Sequence, residues 1–344
     1  MTIKEIARLC NVSPATVSNV INGKHKAGSE TAQRILDVIR EQDYHPNQIA
    51  QGLRRQSTKM VGLLAEDMTM FCTPLIIDGI MRFCEDNGYN VILENMRLYA
   101  RWQDTWFRNN QKYQSVLQPA LKELMSLHVD GMIYIAGHER IVEGFEEISV
   151  PMVAAYTYTT THRIPAVVID DEKGGYDITS YLISMGHRKI GVLAGEIDNL
   201  HTQARIRGYQ KALFENGILC DLSLIHYGAW NRKGGYEAAG YFENRDITAM
   251  FCFSDQIAGG VYDYLHEHHV EIGRDISIAG YDDQTMAEYM YPSLTTMQLP
   301  LYDIGYHAAQ KLVGILAGQQ PEDDDTERLP CRLLERGSVV RIGN

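Results

Sequence analysis

From residue 60 onward, short apolar runs alternate with longer amphipathic stretches, and few folds accommodate that rhythm. The runs at 60–64, 89–93, 131–135, 152–155, 166–169, 189–193, 249–253 and 276–279 read as buried parallel strands. Helical stretches fall between them, over 74–87, 175–185 and 204–216 for instance. This alternation predicts a doubly wound α/β architecture. One sheet cannot organise so long a stretch, so two α/β lobes are expected. Ligands in such folds bind beyond the carboxyl ends of the strands, here in the cleft between lobes.

Composition excludes several classes. The chain has 344 residues, 45% of them hydrophobic and 22% charged, which is ordinary for a globular protein and unlike a collagen or a disordered chain. Six scattered cysteines without a Cys-x-x-Cys pair read as buried thiols. No apolar run approaches the ~20 residues of a membrane span. The N-terminus lacks the apolar core of a signal peptide, so a cytoplasmic location is expected. His266-Glu267-His268-His269 is followed by Val270, which breaks the His-Glu-x-x-His zinc spacing. No phosphate-binding glycine loop, nucleophile elbow or plausible acid/base pair is found, so neither a cofactor, a metal nor an enzyme is expected.

Charge is uneven. Residues 1–59 carry nine Lys/Arg against five acids, while the remainder carries 23 against 39. A basic segment on an acidic body points to an anionic partner for the first part alone. Thr2-Ile3-Lys4-Glu5 is a capping box, opening a helix with Ile3, Ile6, Ala7 and Leu9 turned inward. Ser13-Pro14 restarts the chain as N-cap and first helical residue. Val17, Val20 and Ile21 then face inward, and Ala15, Ser18, Asn19 and Asn22 share the outer face. A third helix from Ser29 is expected to bury Ala32, Ile35, Leu36 and Ile39. Helix, tight turn, helix and supporting helix is a helix-turn-helix, whose second helix enters a major groove. A small ligand-free bundle fits the local pattern equally well.

The stretches Thr2-Ile3-Lys4-Glu5-Ile6-Ala7 and Val12-Ser13-Pro14-Ala15-Thr16-Val17-Ser18-Asn19-Val20-Ile21-Asn22-Gly23 closely resemble the DNA-binding headpiece of the LacI/GalR family of bacterial transcription regulators. Tyr44-His45-Pro46-Asn47 with Ile49-Ala50-Gln51-Gly52-Leu53 resembles that family's hinge helix. The resemblance implies base reading by Pro14, Ala15 and Asn19 beside Ser13, and phosphate contacts by Thr16, Ser18 and Asn22. It also implies a minor-groove wedge at Leu53. Many relatives carry Arg at the place of Asn19, and Asn favours adenine. Gly52 lowers helix propensity by ~1 kcal/mol against Ala, so the hinge is expected to fold only on DNA.

The resemblance runs through the body. Ser184-Met185-Gly186-His187-Arg188-Lys189-Ile190, Arg205-Ile206-Arg207-Gly208-Tyr209, Phe253-Ser254-Asp255-Gln256-Ile257-Ala258 and Ile278-Ala279-Gly280-Tyr281-Asp282-Asp283 are similar to the family's effector-core signatures. That core resembles periplasmic sugar-binding proteins, so the implied architecture is a helix-turn-helix headpiece plus a two-lobed, periplasmic-binding-protein-like α/β core. The expected division is 1–45 headpiece and 46–59 hinge. The first lobe would take 60–165 and 295–329, the second 166–294 and 330–344, with crossings near 165, 294 and 329.

By resemblance Arg205 bonds effector hydroxyls or a carboxylate, Asp282 grips the ligand from the other side, and Trp230 stacks on it. Ser254 stands where many relatives have Asn, and Tyr156 where sugar-binding members often have Asp. Taken singly, Arg205 also reads as a surface cation, Asp282 as a turn residue and Trp230 as core filling. The segment 97–118 departs most, with Tyr99, Trp102, Trp106, Phe107 and Tyr113 in a stretch that relatives cross in fewer residues. It reads as local packing, a loop over the cleft or an added interface.

Together these features predict a homodimeric, sequence-specific regulator, a repressor by preference, on double-stranded operator DNA. Its DNA affinity would be switched by a small sugar-like effector, and it would sit on the nucleoid when bound. The alternatives are control by a protein corepressor such as a phosphorylated phosphocarrier protein, or a cytosolic sugar-binding module.

Overall fold

The computed structural model describes residues 1–21, 28–44, 57–161, 164–322 and 325–343, without the side chains of residues 104 and 105. Asn22, Leu53 and nearly all of the expected hinge at 46–59 lie outside the described residues. The chain forms two units, residues 1–58 and 59–344.

In the first unit α1 (Ile3–Leu9) starts on the capping box: Thr2 accepts from the Glu5 amide at 3.3 Å and Glu5 accepts from the Thr2 amide at 2.7 Å. Ser13 caps α2 (Pro14–Ile21), its Oγ accepting from the Thr16 amide at 3.1 Å. With α3 (Ser29–Glu41) these helices bury Ile6, Ala7, Cys10, Val17 and Ile35. Two inward expectations fail. Leu9 is 61% and Leu36 41% exposed, because the small core of three short helices is filled by Ile6, Ala7, Cys10, Val17 and Ile35.

The second unit opens with β1 (Met60–Ala65), α4 (Thr73–Asp86), β2 (Asn90–Asn95), α5 (Leu98–Trp102), a 3-10 turn, and α6 (Asn110–Ser126). β3 (Gly131–Ile135), β4 (Ile141–Val142), β5 (Met152–Ala155), β6 (Tyr158–Thr159) and β7 (Ala166–Ile169) follow. Next come α7 (Asp171–Ser184), β8 (Ile190–Ala194), α8 (Leu200–Glu215), β9 (Ile225–Tyr227), α9 (Arg232–Ala239), β10 (Ala249–Cys252), α10 (Asp255–Glu267) and β11 (Ser277–Ala279). The chain ends with α11 (Met286–Tyr289), β12 (Thr296–Gln298), α12 (Leu301–Leu316), β13 (Thr326–Leu329) and β14 (Arg332–Leu334).

Among the described residues, the parallel sheet β13-β7-β5-β3-β1-β2 builds one lobe and β11-β10-β8-β9 the other. β2 is an edge strand and only half-buried, so its expected burial is too deep. β7 pairs with β5 and β13, which keeps it in the first sheet and moves the first crossing from 165 to Asp170. β12 lies beside β11 through the Ala279–Thr295 and Asp282–Gln298 bridges and pairs with β14. The second crossing therefore falls between Gln298 and Leu301 rather than at 294. The third lies between β13 and β14.

Pairs of helices meet backbone to backbone at glycines. A Cβ on Gly208 of α8 would lie 2.1 Å from the Glu172 carbonyl oxygen of α7, and one on Gly175 of α7 would lie 2.5 Å from that of Arg205. α4 and α12 repeat this at Gly79 and Gly305, and α9 and α10 at Gly235 and Gly260. Because α8 carries Arg205 and α7 carries Asp171, the close approach decides whether those two side chains meet. Gly208→Ala is expected to destabilise the second unit by ~1–3 kcal/mol despite its better helix propensity. Urea unfolding measures this, and an unchanged midpoint would mean the helices part freely.

The segment 97–118 packs locally. Trp106 is fully buried against Tyr99 and Tyr113, with the Arg140 guanidinium 4.4 Å from the Trp106 ring. Arg140 in turn ion-pairs with the buried Glu66. From the same segment Arg108 reaches Glu196 of the other lobe at 3.1 Å. Five of the cysteines are buried and Cys220 is half-buried, all as free thiols. Among the described residues no helix is long and apolar enough to cross a membrane.

Candidate nucleic-acid interface and ligand cleft

On α2 the Pro14 and Ala15 side of the helix is exposed, while Thr16, Ser18 and Asn19 are half-exposed. Ser13 Oγ lies 2.9 Å from Thr16 Oγ1, so the cap and the first turn form one polar patch. The hydrophobic side of the same helix is tied down by Val17. A short helix with small hydrogen-bonding side chains outward fits close approach to base edges and phosphates.

In the second unit, α8 carries His201 and Arg205 four residues apart and therefore on one face. Asn199 caps that helix, accepting from the His201 amide at 2.9 Å. Arg205 is 1% exposed. Its Nε donates to Asp171 Oδ1 at 2.7 Å, one Nη donates to the Phe253 carbonyl, and Asp282 Oδ1 lies 3.9 Å away. Its guanidinium carbon sits 3.6 Å from the Tyr281 ring centroid and 5.7 Å from that of Trp230. Trp230 packs against Gly195, where a Cβ would come within 1.9 Å of the indole. Only glycine admits the ring there.

The Glu139 amide donates to His201 Nε2 at 3.1 Å, which leaves the ring proton on Nδ1, donated to Asp171 Oδ2 at 2.6 Å. The Tyr156 ring packs 5.5 Å from that of His201. Burial alone would raise Asp171, yet Arg205 and His201 hold its carboxyl well below the usual carboxylate range. Burial pushes Glu139 up to about 7 against the pull of His201, and pushes Asp282 well above its ordinary value against Arg205. Asp255 is also raised to about 7 by burial, although it accepts from Thr296 Oγ1 and from the Gln284 amide, each at 2.7 Å.

Of the expected effector residues, Arg205, Trp230, Asp282 and Tyr156 gather at this centre. Ser254 sits beside them as the N-cap of α10, its Oγ accepting from the Ile257 amide at 3.1 Å and lying 3.4 Å from the Trp230 carbonyl oxygen. Two cavities adjoin the central cluster. One, of about 730 Å³, is flanked by Glu139, Tyr158 and Asp171; the other, of about 520 Å³, by Phe71, Asp282 and Gln298. Glu139, Asp171 and His201 escaped the sequence reading. Only His201 carried a signal, its four-residue offset from Arg205, which sets both on one helix face.

Three buried polar atoms in this neighbourhood have no hydrogen-bond partner: Glu139 Oε2, Thr202 Oγ1 and Trp230 Nε1. Orphaned buried groups of this kind cost ~1–3 kcal/mol each and mark a place where a partner is missing.

Comparison with known proteins agrees with this layout. Residues 2–47 match the model of bacterial regulatory proteins of the lacI family, and residues 179–339 match that of the periplasmic binding protein-like domain. The chain is 33% identical to the HTH-type transcriptional regulator RegA of Clostridium saccharobutylicum, covering 98% of this chain and 99% of that one. It is 32% identical to the ribose operon repressor of Haemophilus influenzae, covering 91% of each. Among solved structures, the lac repressor dimer bound to operator and the anti-inducer ONPF superposes with a TM-score of 0.79 at 22% identity, over 99% of both chains. By its headpiece, its two-lobed core and its full-length kinship, the chain belongs to the lacI family of bacterial regulatory proteins.

Proposed function

We propose that this chain is a dimeric, cytoplasmic, sequence-specific repressor whose operator affinity is switched by a small polyhydroxylated molecule in the interlobe cleft. The reading is carried by one observation. A helix-turn-helix with a polar outer face shares a chain with a cleft whose Arg205, Asp282 and Trp230 surround orphaned buried polar atoms. Arginine, carboxylate and indole are the groups that recognise sugar rings. The names of the relatives, a ribose operon repressor among them, support the sugar class, and the operator-bound lac repressor dimer supports the assembly.

Two headpieces on a two-fold axis would read a pseudo-palindrome, with Pro14, Ala15 and Asn19 on base edges beside Ser13, and Thr16 and Ser18 near phosphates. Asn22 and Leu53 join them on resemblance alone. The ligand shifts DNA affinity only by its preference for one lobe arrangement over the other. Selection of bound duplexes from random-sequence DNA by the purified protein tests the reading. A two-fold-symmetric site should emerge, and Asn19→Ala should weaken it ~10–100-fold while relaxing one base position in each half. Recovery without any enriched sequence would overturn it.

A further inference from the structure

The loop 137–140 follows β3 in the first lobe, and three of its four residues are anchored to that lobe. The Gly137 amide donates to the buried Glu66 at 2.7 Å, and Arg140 ion-pairs with the same carboxylate. His138 Nδ1 lies 2.5 Å from the Tyr99 hydroxyl, with the Phe107 ring 5.1 Å from the imidazole. The Trp106 ring lies 4.4 Å from the Arg140 guanidinium carbon. Tyr99, Trp106 and Phe107 all belong to the segment 97–109, so that segment clamps the loop onto its own lobe.

Glu139 is the exception. Its amide donates to His201 Nε2 of the second lobe at 3.1 Å. The segment itself reaches the same place, since Arg108 donates to Glu196 at 3.1 Å. Glu196 and His201 stand at either end of the short connection from β8 into α8. Two contacts from one clamped part of the first lobe therefore land on one turn of the second. His201 in turn donates to Asp171, which accepts from Arg205, so the contact ends in the central cluster. Neither contact is strong alone. Arg108 and Glu196 are both solvent-exposed, and such an ion pair is worth a factor of a few at most. The loop that presents Glu139 is already ordered, however, so meeting the second lobe costs it little further entropy.

We propose that segment 97–109 is a latch: it holds loop 137–140 in place and, through Arg108 on Glu196, keeps the two lobes shut on each other without any ligand. A molecule entering the cleft then acts on a population already biased toward closure. The bias comes from the latch, so the inference stands whatever the cleft binds.

Hydrogen exchange of the full-length, ligand-free protein tests it, read residue by residue by mass spectrometry with electron-transfer fragmentation. The Glu139 amide bonds across the gap and the Gly137 amide within the first lobe, so the pair separates parting of the lobes from loosening of the loop. Arg108→Glu sets two acids against each other and should speed exchange at Glu139 about threefold or more, leaving Gly137 unchanged. Adding Glu196→Arg to that variant should restore the slow rate. An unchanged Glu139 rate in Arg108→Glu would overturn the latch. Equal acceleration at Gly137 would overturn it too, by showing a loosened loop, as would a charge swap that fails to rescue.

Discussion

Replacing Arg205 with alanine is expected to cost the second unit ~3–5 kcal/mol and to abolish its response to ligand. The wild-type guanidinium performs three tasks at once: it neutralises the buried Asp171, donates to the Phe253 carbonyl and covers the Tyr281 ring. Alanine leaves Asp171 buried with only His201 against it, and an uncompensated buried charge dominates the loss. Arg205→Lys should recover little, because a point ammonium cannot serve a carboxylate and a carbonyl in the plane of one fork. The double variant Arg205→Ala with Asp171→Asn should lose much less than the sum of the single changes, since removing both charges removes the desolvation problem. The readout is clean. All three tryptophans (Trp102, Trp106 and Trp230) lie in the second unit, so indole fluorescence during urea unfolding follows that unit alone. Additive single and double costs would show that Arg205 and Asp171 do not stabilise the fold as a pair.

How far the sequence announces all this differs from element to element. The all-apolar runs 131–135 and 166–169 became β3 and β7 at those same residues, because a strand covered on both faces needs apolar side chains throughout. The strands β4, β6, β12 and β14 left no such trace. Two or three residues each, they exist through pairing with a distant partner, as between Thr296 and Leu334. The same limit explains why the crossings near 165 and 294 were displaced: an apolar run shows that a strand forms but not which sheet takes it. Residues 97–118 carried aromatics without clear periodicity, and only the fold shows Trp106 buried over Arg140. In the cleft, Arg205, Trp230 and Asp282 were legible by family resemblance. Glu139 and Asp171 were not, since a buried polar network follows three-dimensional pairing rather than any spacing along the chain. His201 sits between these cases, offset from Arg205 by one helical turn.

Asp255 gives the second large expectation, a stability that falls as pH rises from about 4 to about 7. Its ordinary carboxyl value is 3.8, and burial raises it to about 7 in the folded protein. Between those limits the folded state holds a proton that the unfolded chain has released. Folding therefore takes up a proton, and stability declines by up to ~1.4 kcal/mol per pH unit, on the order of 4 kcal/mol across the window. Glu139 and Asp282 are shifted in the same direction and steepen the fall. Asp171 is shifted the opposite way, so its contribution is lost only as pH drops below about 4, outside this window. Asparagine at position 255 can keep both contacts, with its carbonyl oxygen on the Gln284 amide and its amino group on Thr296 Oγ1. Asp255→Asn should thus flatten the fluorescence-monitored stability profile and be more stable than wild type at pH 8. Parallel profiles for the two proteins would remove Asp255 as the cause. The consequence reaches the hinge side of the cleft, because Thr296 opens β12, the strand that leads into the second crossing. Deprotonating Asp255 leaves a charge on the residue that holds that strand, so alkaline conditions load the second crossing between the two lobes.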